Sequence, residues 1–98
     1  MGRRKILEEV KKIVTRHLRD TNAKVYLFGS WARGEETHSS DIDIGVWYEG
    51  TLPPGTLSLL RETLENSTIP YSVDLVDLTQ TNSSFRESAL KGAVLWSD

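Results

Sequence analysis

Apolar residues recur three and four apart across residues 3–20, where Ile6, Val10, Ile13 and Val14 form a stripe that Leu7 and Leu18 widen. That spacing predicts an amphipathic helix, ended by Thr21-Asn22. His17 falls near the stripe and reads as a half-buried structural histidine. The period then shortens to that of strands. Lys24 to Phe28 is β-branched and aromatic, and it stops abruptly at Gly29-Ser30. Residues 30–34 read as one helical turn, and residues 35–40 are polar and loop-like. From Asp41 to Tyr48 the chain alternates again: Ile42, Ile44 and Val46 on one side, Asp41 and Asp43 on the other.

Pro53, Pro54 and Gly55 mark a loop. Leu57, Leu60 and Leu64 then share one face of a helix over residues 56–66, and Pro70 blocks its continuation. Tyr71 to Val76 reads as a third strand, in which Val73 and Leu75 alternate with Asp74 and Val76. Ser84 followed by Glu87 suggests a capping box opening a last helix that runs to about Lys91, with Gly92 as its stop. Ala93 to Trp96 is apolar and reads either as a final strand or as a docking segment. The order helix, strand, short helix, strand, helix, strand, helix predicts an α/β (α+β) domain, one small mixed or parallel sheet flanked by helices.

Ninety-eight residues, 38% hydrophobic and 27% charged, are expected to form a single domain, 1–98, with one modest core and no second lobe. A net charge of −2 argues against a main task of gripping a nucleic-acid backbone. The run Arg3-Arg4-Lys5 is answered by Glu8 and Glu9, and reads as the solvated start of the first helix. Without cysteine, disulfides and thiolate zinc sites are excluded. No signal pattern or membrane-length apolar stretch is present, which makes the cytoplasm the expected compartment.

Candidate chemistry concentrates in two places joined by ten residues: Gly29-Ser30 and Asp41-Ile42-Asp43. A strand that stops at glycine and turns into a helix exposes backbone N–H groups, which attract phosphate. Gly29 lets a phosphate approach closely, and Ser30 adds a hydroxyl. Arg33 either reaches the same phosphate or pairs with Glu35 or Glu36. Two aspartates on one strand face resist joint ionisation unless a cation neutralises them. Their hard oxygens suit magnesium or manganese. Asp74 becomes a third carboxylate on that surface if its strand lies beside the second. Asp77, off that alternation, reads as a turn or cap residue. Gly29 to Gly34 has the spacing of a P-loop opening, but Glu35-Glu36 stands where lysine and a hydroxyl residue are required. The Asp41–Gly45 stretch lacks the glycine position and the twelfth-position glutamate of a calcium loop.

Gly29-Ser30-Trp31-Ala32-Arg33-Gly34 followed by Ser40-Asp41-Ile42-Asp43-Ile44 resembles the signature of minimal nucleotidyltransferases, the smallest members of the DNA polymerase beta-like superfamily. Tyr71-Ser72-Val73-Asp74-Leu75 is similar to the context of that family's third carboxylate. The resemblance implies metal ligands at Asp41, Asp43 and Asp74, with Asp74 also assisting deprotonation of the acceptor. It implies Gly29 and Ser30 as the triphosphate cradle, with Arg33 in reach. It further implies Mg2+ (or Mn2+), ATP as substrate, and AMP transfer to an acceptor hydroxyl. The family's characterised acceptor is a tyrosine of a helical HEPN RNase toxin, for which the nucleotidyltransferase is the antitoxin. The implied partner is therefore such a HEPN protein in an oligomeric complex. Trp31, Trp47 and Trp96 read equally as interface or as core. The alternative is a non-catalytic nucleotide-binding subunit that neutralises or regulates a helical partner by complex formation.

Overall fold

The computed structural model describes residues 2–97. Its elements run α1 (Arg3–His17), β1 (Lys24–Phe28), α2 (Gly29–Arg33), β2 (Ile42–Trp47), α3 (Thr56–Glu65), β3 (Val73–Asp77), α4 (Ser83–Leu90) and β4 (Val94–Leu95). The predicted order holds, with the Ala93–Trp96 segment supplying a fourth strand. The sheet order is β3-β2-β1-β4. β2 runs antiparallel to β1 and parallel to β3, and β4 pairs antiparallel with β1. The sheet is therefore mixed.

One face of this sheet carries the main core. Ile6, Val10, Val14 and Leu18 from the first helical stretch pack with Leu60 and Leu64 of α3 onto Val25, Leu27, Ile42, Ile44, Val46 and Leu75. Alternation sends their neighbours to the opposite face, where Phe28 and Leu78 are buried outside that cluster. Gly45 lies there too: a β-carbon added to it would stand 3.0 Å from Leu78 Cγ and 3.4 Å from Phe28 Cε1. The missing side chain is what lets Leu78 seat on the sheet.

Local choices explain where elements differ from their expected bounds. The first helix ends at His17, and Leu18 caps it while remaining buried. The last helix is capped by Asn82, whose side chain accepts from Phe85 N at 2.8 Å, so the expected Ser84–Glu87 capping box does not form. Asn82 is an equally good cap and lies two residues earlier. His17 is structural, as expected: Nδ1–H donates to Ile13 O at 2.9 Å, and Nε2 lies 3.1 Å from Thr63 Oγ1.

Asp77 closes the far end of the sheet. One carboxylate oxygen accepts from the backbone N–H groups of Thr79 and Gln80, and the other accepts from the Tyr48 hydroxyl at 2.7 Å. This is the turn role predicted for it. The bond to Asp77, followed by burial, raises the Tyr48 phenol above its ordinary value of 10.0. A raised acid adds stability below its unfolded pKa and loses it as pH climbs through the folded value. Tyr48→Phe is therefore expected to cost about 1 kcal/mol at pH 7. In thermal melts the gap to the parent protein should narrow above about pH 10.

Candidate active site

The junction of β1 and α2 is a sharp turn. Phe28 is extended, and Gly29 adopts φ +74°, a left-handed conformation that favours glycine. The turn enters α2, and Gly34, at φ +71°, ends it. Glu35 N–H donates to Ser30 O at 2.9 Å as the chain leaves.

Register brings the carboxylates to that turn. Phe28 stands opposite Asp43 in the β1–β2 ladder, and Asp43 stands opposite Asp74 in the β2–β3 ladder. All three lie on the face away from α1 and α3. A β-carbon added to Gly29 would fall onto the Asp43 carboxylate, Cγ being 3.1 Å from it. The Asp43 side chain therefore occupies the space beside Gly29 that any other residue would fill. Asp41 precedes β2, two residues before Asp43, and is exposed, as is Asp74.

Burial, then the negative charges of Asp74 and Asp41, raise the Asp43 pKa above its ordinary value, and the Arg33 guanidinium works against them. The structure thus places Gly29, Arg33, Asp41 and Asp74 around Asp43, with Ser30 next in the turn. Arg33 makes the predicted ion pair, Nε to Glu35 Oε1 at 2.9 Å, with both side chains more than half exposed. Such pairs are weak and readily exchanged for a phosphate.

Asp77 stays out of this group, with both its oxygens committed elsewhere. The three tryptophans separate. Trp31 is only 2% exposed and belongs to the core, which decides between its two readings. Trp47 is 36% exposed and lies 4.9 Å beneath the Arg86 guanidinium. Trp96 is half-buried against the core.

Arg3 corrects another expectation. It is not simply solvated: its Nε donates to Glu36 Oε2 at 2.9 Å, and its Nη2 donates to the carbonyl of Trp31. The available sequence signal was the absence of any acidic residue in the first turn of α1, where the helix dipole disfavours three basic residues.

A strand and turn carrying Gly-Ser, an Asp-x-Asp strand beside it and a third aspartate on the parallel neighbour thus share one end of the sheet. Residues 8–98 match the family model described as Polymerase beta, Nucleotidyltransferase, and the chain belongs to that family. It is an enzyme of the nucleotidyltransferase class. It is 40% identical over 80 residues to a candidate protein adenylyltransferase of Methanocaldococcus jannaschii, covering 76% of this chain and 92% of that one. Among solved structures it is similar to a toxin–antitoxin crystallised with AMP-PNP, at 29% identity and TM-score 0.70, covering 89% of this chain and 72% of that one. It is also similar to a chain of the complex of tri-AMPylated Shewanella oneidensis HEPN toxin with MNT antitoxin. There the identity is 26% and the TM-score 0.64, over 92% of this chain and 71% of that one. Among the described residues, no helix is long and apolar enough to cross a membrane.

Proposed function

We propose that this chain transfers AMP from ATP to a tyrosine hydroxyl of a helical HEPN-type RNase toxin, silencing it as an antitoxin within a mixed complex in the cytoplasm. The observation that carries the reading is the meeting of Gly29 with Asp43, which stands directly opposite Asp74. A phosphate-accepting turn and a carboxylate pair share one point. The adenylyltransferase relative and the two toxin–antitoxin structures supply the donor and acceptor classes.

Asp41, Asp43 and Asp74 fit a divalent ion. They are hard oxygen donors on one face, and burial and like charge hold Asp43 partly against ionisation, an imbalance that a cation relieves. Among the described residues no three acidic or imidazole side chains already close on one point. Asp41, exposed and ahead of β2, is the ligand that would have to swing inward. Magnesium or manganese, when bound, supplies charge neutralisation at the phosphates and acidifies the attacking hydroxyl.

The chain's own residues do the rest. The backbone at Gly29 and the Ser30 hydroxyl hold the triphosphate, and Arg33 leaves Glu35 to pair with it. The acceptor oxygen forms a bond to the α-phosphorus. The bond from that phosphorus to the bridging oxygen breaks, and pyrophosphate departs with the electron pair. The hydroxyl proton passes to Asp74 and then to solvent. Catalysis is positioning and charge complementarity, with no covalent enzyme intermediate.

The test uses labelled ATP, magnesium and the toxin. Label should appear on the toxin, and Asp41→Ala and Asp74→Asn should each lower transfer about a thousandfold. A toxin that stays unlabelled, or labelling indifferent to both substitutions, would refute the assignment.

A further inference from the structure

Trp31 touches the segments that lead into β2 and β3, the strands of the candidate site. It sits in the middle of α2, one residue after Ser30, and is buried in the core. Its Nε1–H donates to the carbonyl of Ser40, the residue before Asp41, at 3.4 Å. Its ring meets Tyr71 edge-on, with centroids 5.0 Å apart, just ahead of the strand that carries Asp74. Its own carbonyl accepts from Arg3, whose guanidinium also lies 5.9 Å from the indole centroid. Arg3 continues to Glu36 in the loop that leads to Asp41.

Arg3 pays an electrostatic cost at this place, since it opens a helix whose N-terminus repels cations. Its two bonds reach residues 28 and 33 positions away in sequence. One planar guanidinium bridging two acceptors is a geometric tie that a lysine cannot reproduce. The tie joins the start of α1 to both the α2 turn and the loop before Asp41.

We propose that Trp31, braced by Arg3 and Tyr71, is a positioning residue that sets the spacing between the Gly29–Ser30 turn and the Asp41–Asp43 carboxylates. The proposal rests on the adenylyl-transfer reading for its catalytic consequence but not for its structural one. The triphosphate still meets Gly29 and Ser30 when the brace is cut, so binding persists. What is lost is the alignment of the α-phosphate with the carboxylates, which appears in kcat.

Three variants test it: Arg3→Ala, Arg3→Lys and Trp31→Phe. Trp31→Phe keeps a buried ring for Tyr71, deletes the bond to Ser40 and leaves a small cavity where the larger indole stood. Each is expected to lower kcat about tenfold while changing the KM for ATP less than about threefold. The melting temperature of Arg3→Lys, which keeps a cation beside Glu36, should stay within about 3 °C of the parent, whereas Arg3→Ala leaves the Glu36 carboxylate, only 19% exposed, without its partner and should melt lower. Hydrogen exchange gives a readout that needs no activity: the Glu35 amide should exchange about tenfold faster in each variant while Ile44 and Val46 are unchanged. Unchanged Glu35 exchange, or full kcat in Arg3→Lys, would overturn the brace. A loss of kcat that simply tracks a fall in melting temperature would reduce it to ordinary packing. If the parent protein transfers no AMP, the adenylyl-transfer reading fails, and the exchange data still decide whether the brace exists.

Discussion

Replacing Asp43 by asparagine is expected to abolish AMP transfer and, in the nucleotide-free protein at pH 7, to raise the melting temperature. The two effects share one cause. Burial, then Asp74 and Asp41, hold the Asp43 pKa above its ordinary 3.8, with only Arg33 opposing them. A carboxyl group whose folded pKa is raised favours the native state while protonated. That advantage disappears as pH rises through the folded value, and at pH 7 the charge works against the fold. Asparagine keeps the shape and removes the charge. The gain should be a few degrees at pH 7 and should shrink as pH falls through the folded value, below which the carboxyl group is neutral as well. On the proposed function the same charge would help hold the cation that neutralises the phosphates, so activity should fall about a thousandfold or more. Site and fold thus make opposite demands on this residue. Melts at pH 4 and 7 beside a transfer assay check this; a lower melting temperature at pH 7, or retained transfer, would contradict it.

Gly29→Ala should damage the protein in two ways that Gly34→Ala separates. Both glycines have left-handed φ, +74° and +71°. A β-carbon there costs about 1–2 kcal/mol in backbone strain. At Gly34 the added carbon would meet nothing within 4 Å, whereas at Gly29 it would land on the Asp43 carboxylate. Gly34→Ala should therefore lower stability by about 1 kcal/mol with transfer largely retained. Gly29→Ala should displace Asp43 and cost about a hundredfold or more in kcat, since misplacement of about 1 Å suffices for that. Urea melts and transfer rates for the pair decide it. Equal activity in the two variants would mean that Asp43 does not depend on the space beside Gly29.

Several elements were legible in the chain because their information is local. The two-residue alternation of Asp41 to Tyr48 and of Val73 to Val76 is enough to assign faces. The Leu57, Leu60 and Leu64 spacing is enough to assign a helix. Asp77 was readable as a turn residue because its partners include backbone N–H groups two and three residues ahead. The cap of α4 was misread because Asn82 and Ser84 both satisfy local capping rules, and only the path of the loop chooses between them. The partners of Arg3 and the burial of Trp31 are hidden in the sequence for a different reason. Arg3 belongs to a charged run, and Trp31 stands between the small residues Ser30 and Ala32, with no apolar periodicity around it. Nothing within a few positions marks its ring as buried.

The sequence by itself determined the strands and helices, the turn at Gly29-Ser30, and the faces on which Asp41, Asp43 and Asp74 stand. These follow from backbone periodicity and glycine's access to positive φ, which act over a few residues. Only the tertiary structure decided that Asp74 stands opposite Asp43, that Asp43 fills the space beside Gly29, and that Arg3 reaches Trp31 and Glu36. Those relations depend on which strand neighbours which and on how the first helix crosses the sheet. They are set by burial of the whole core, and no local pattern of side chains encodes them.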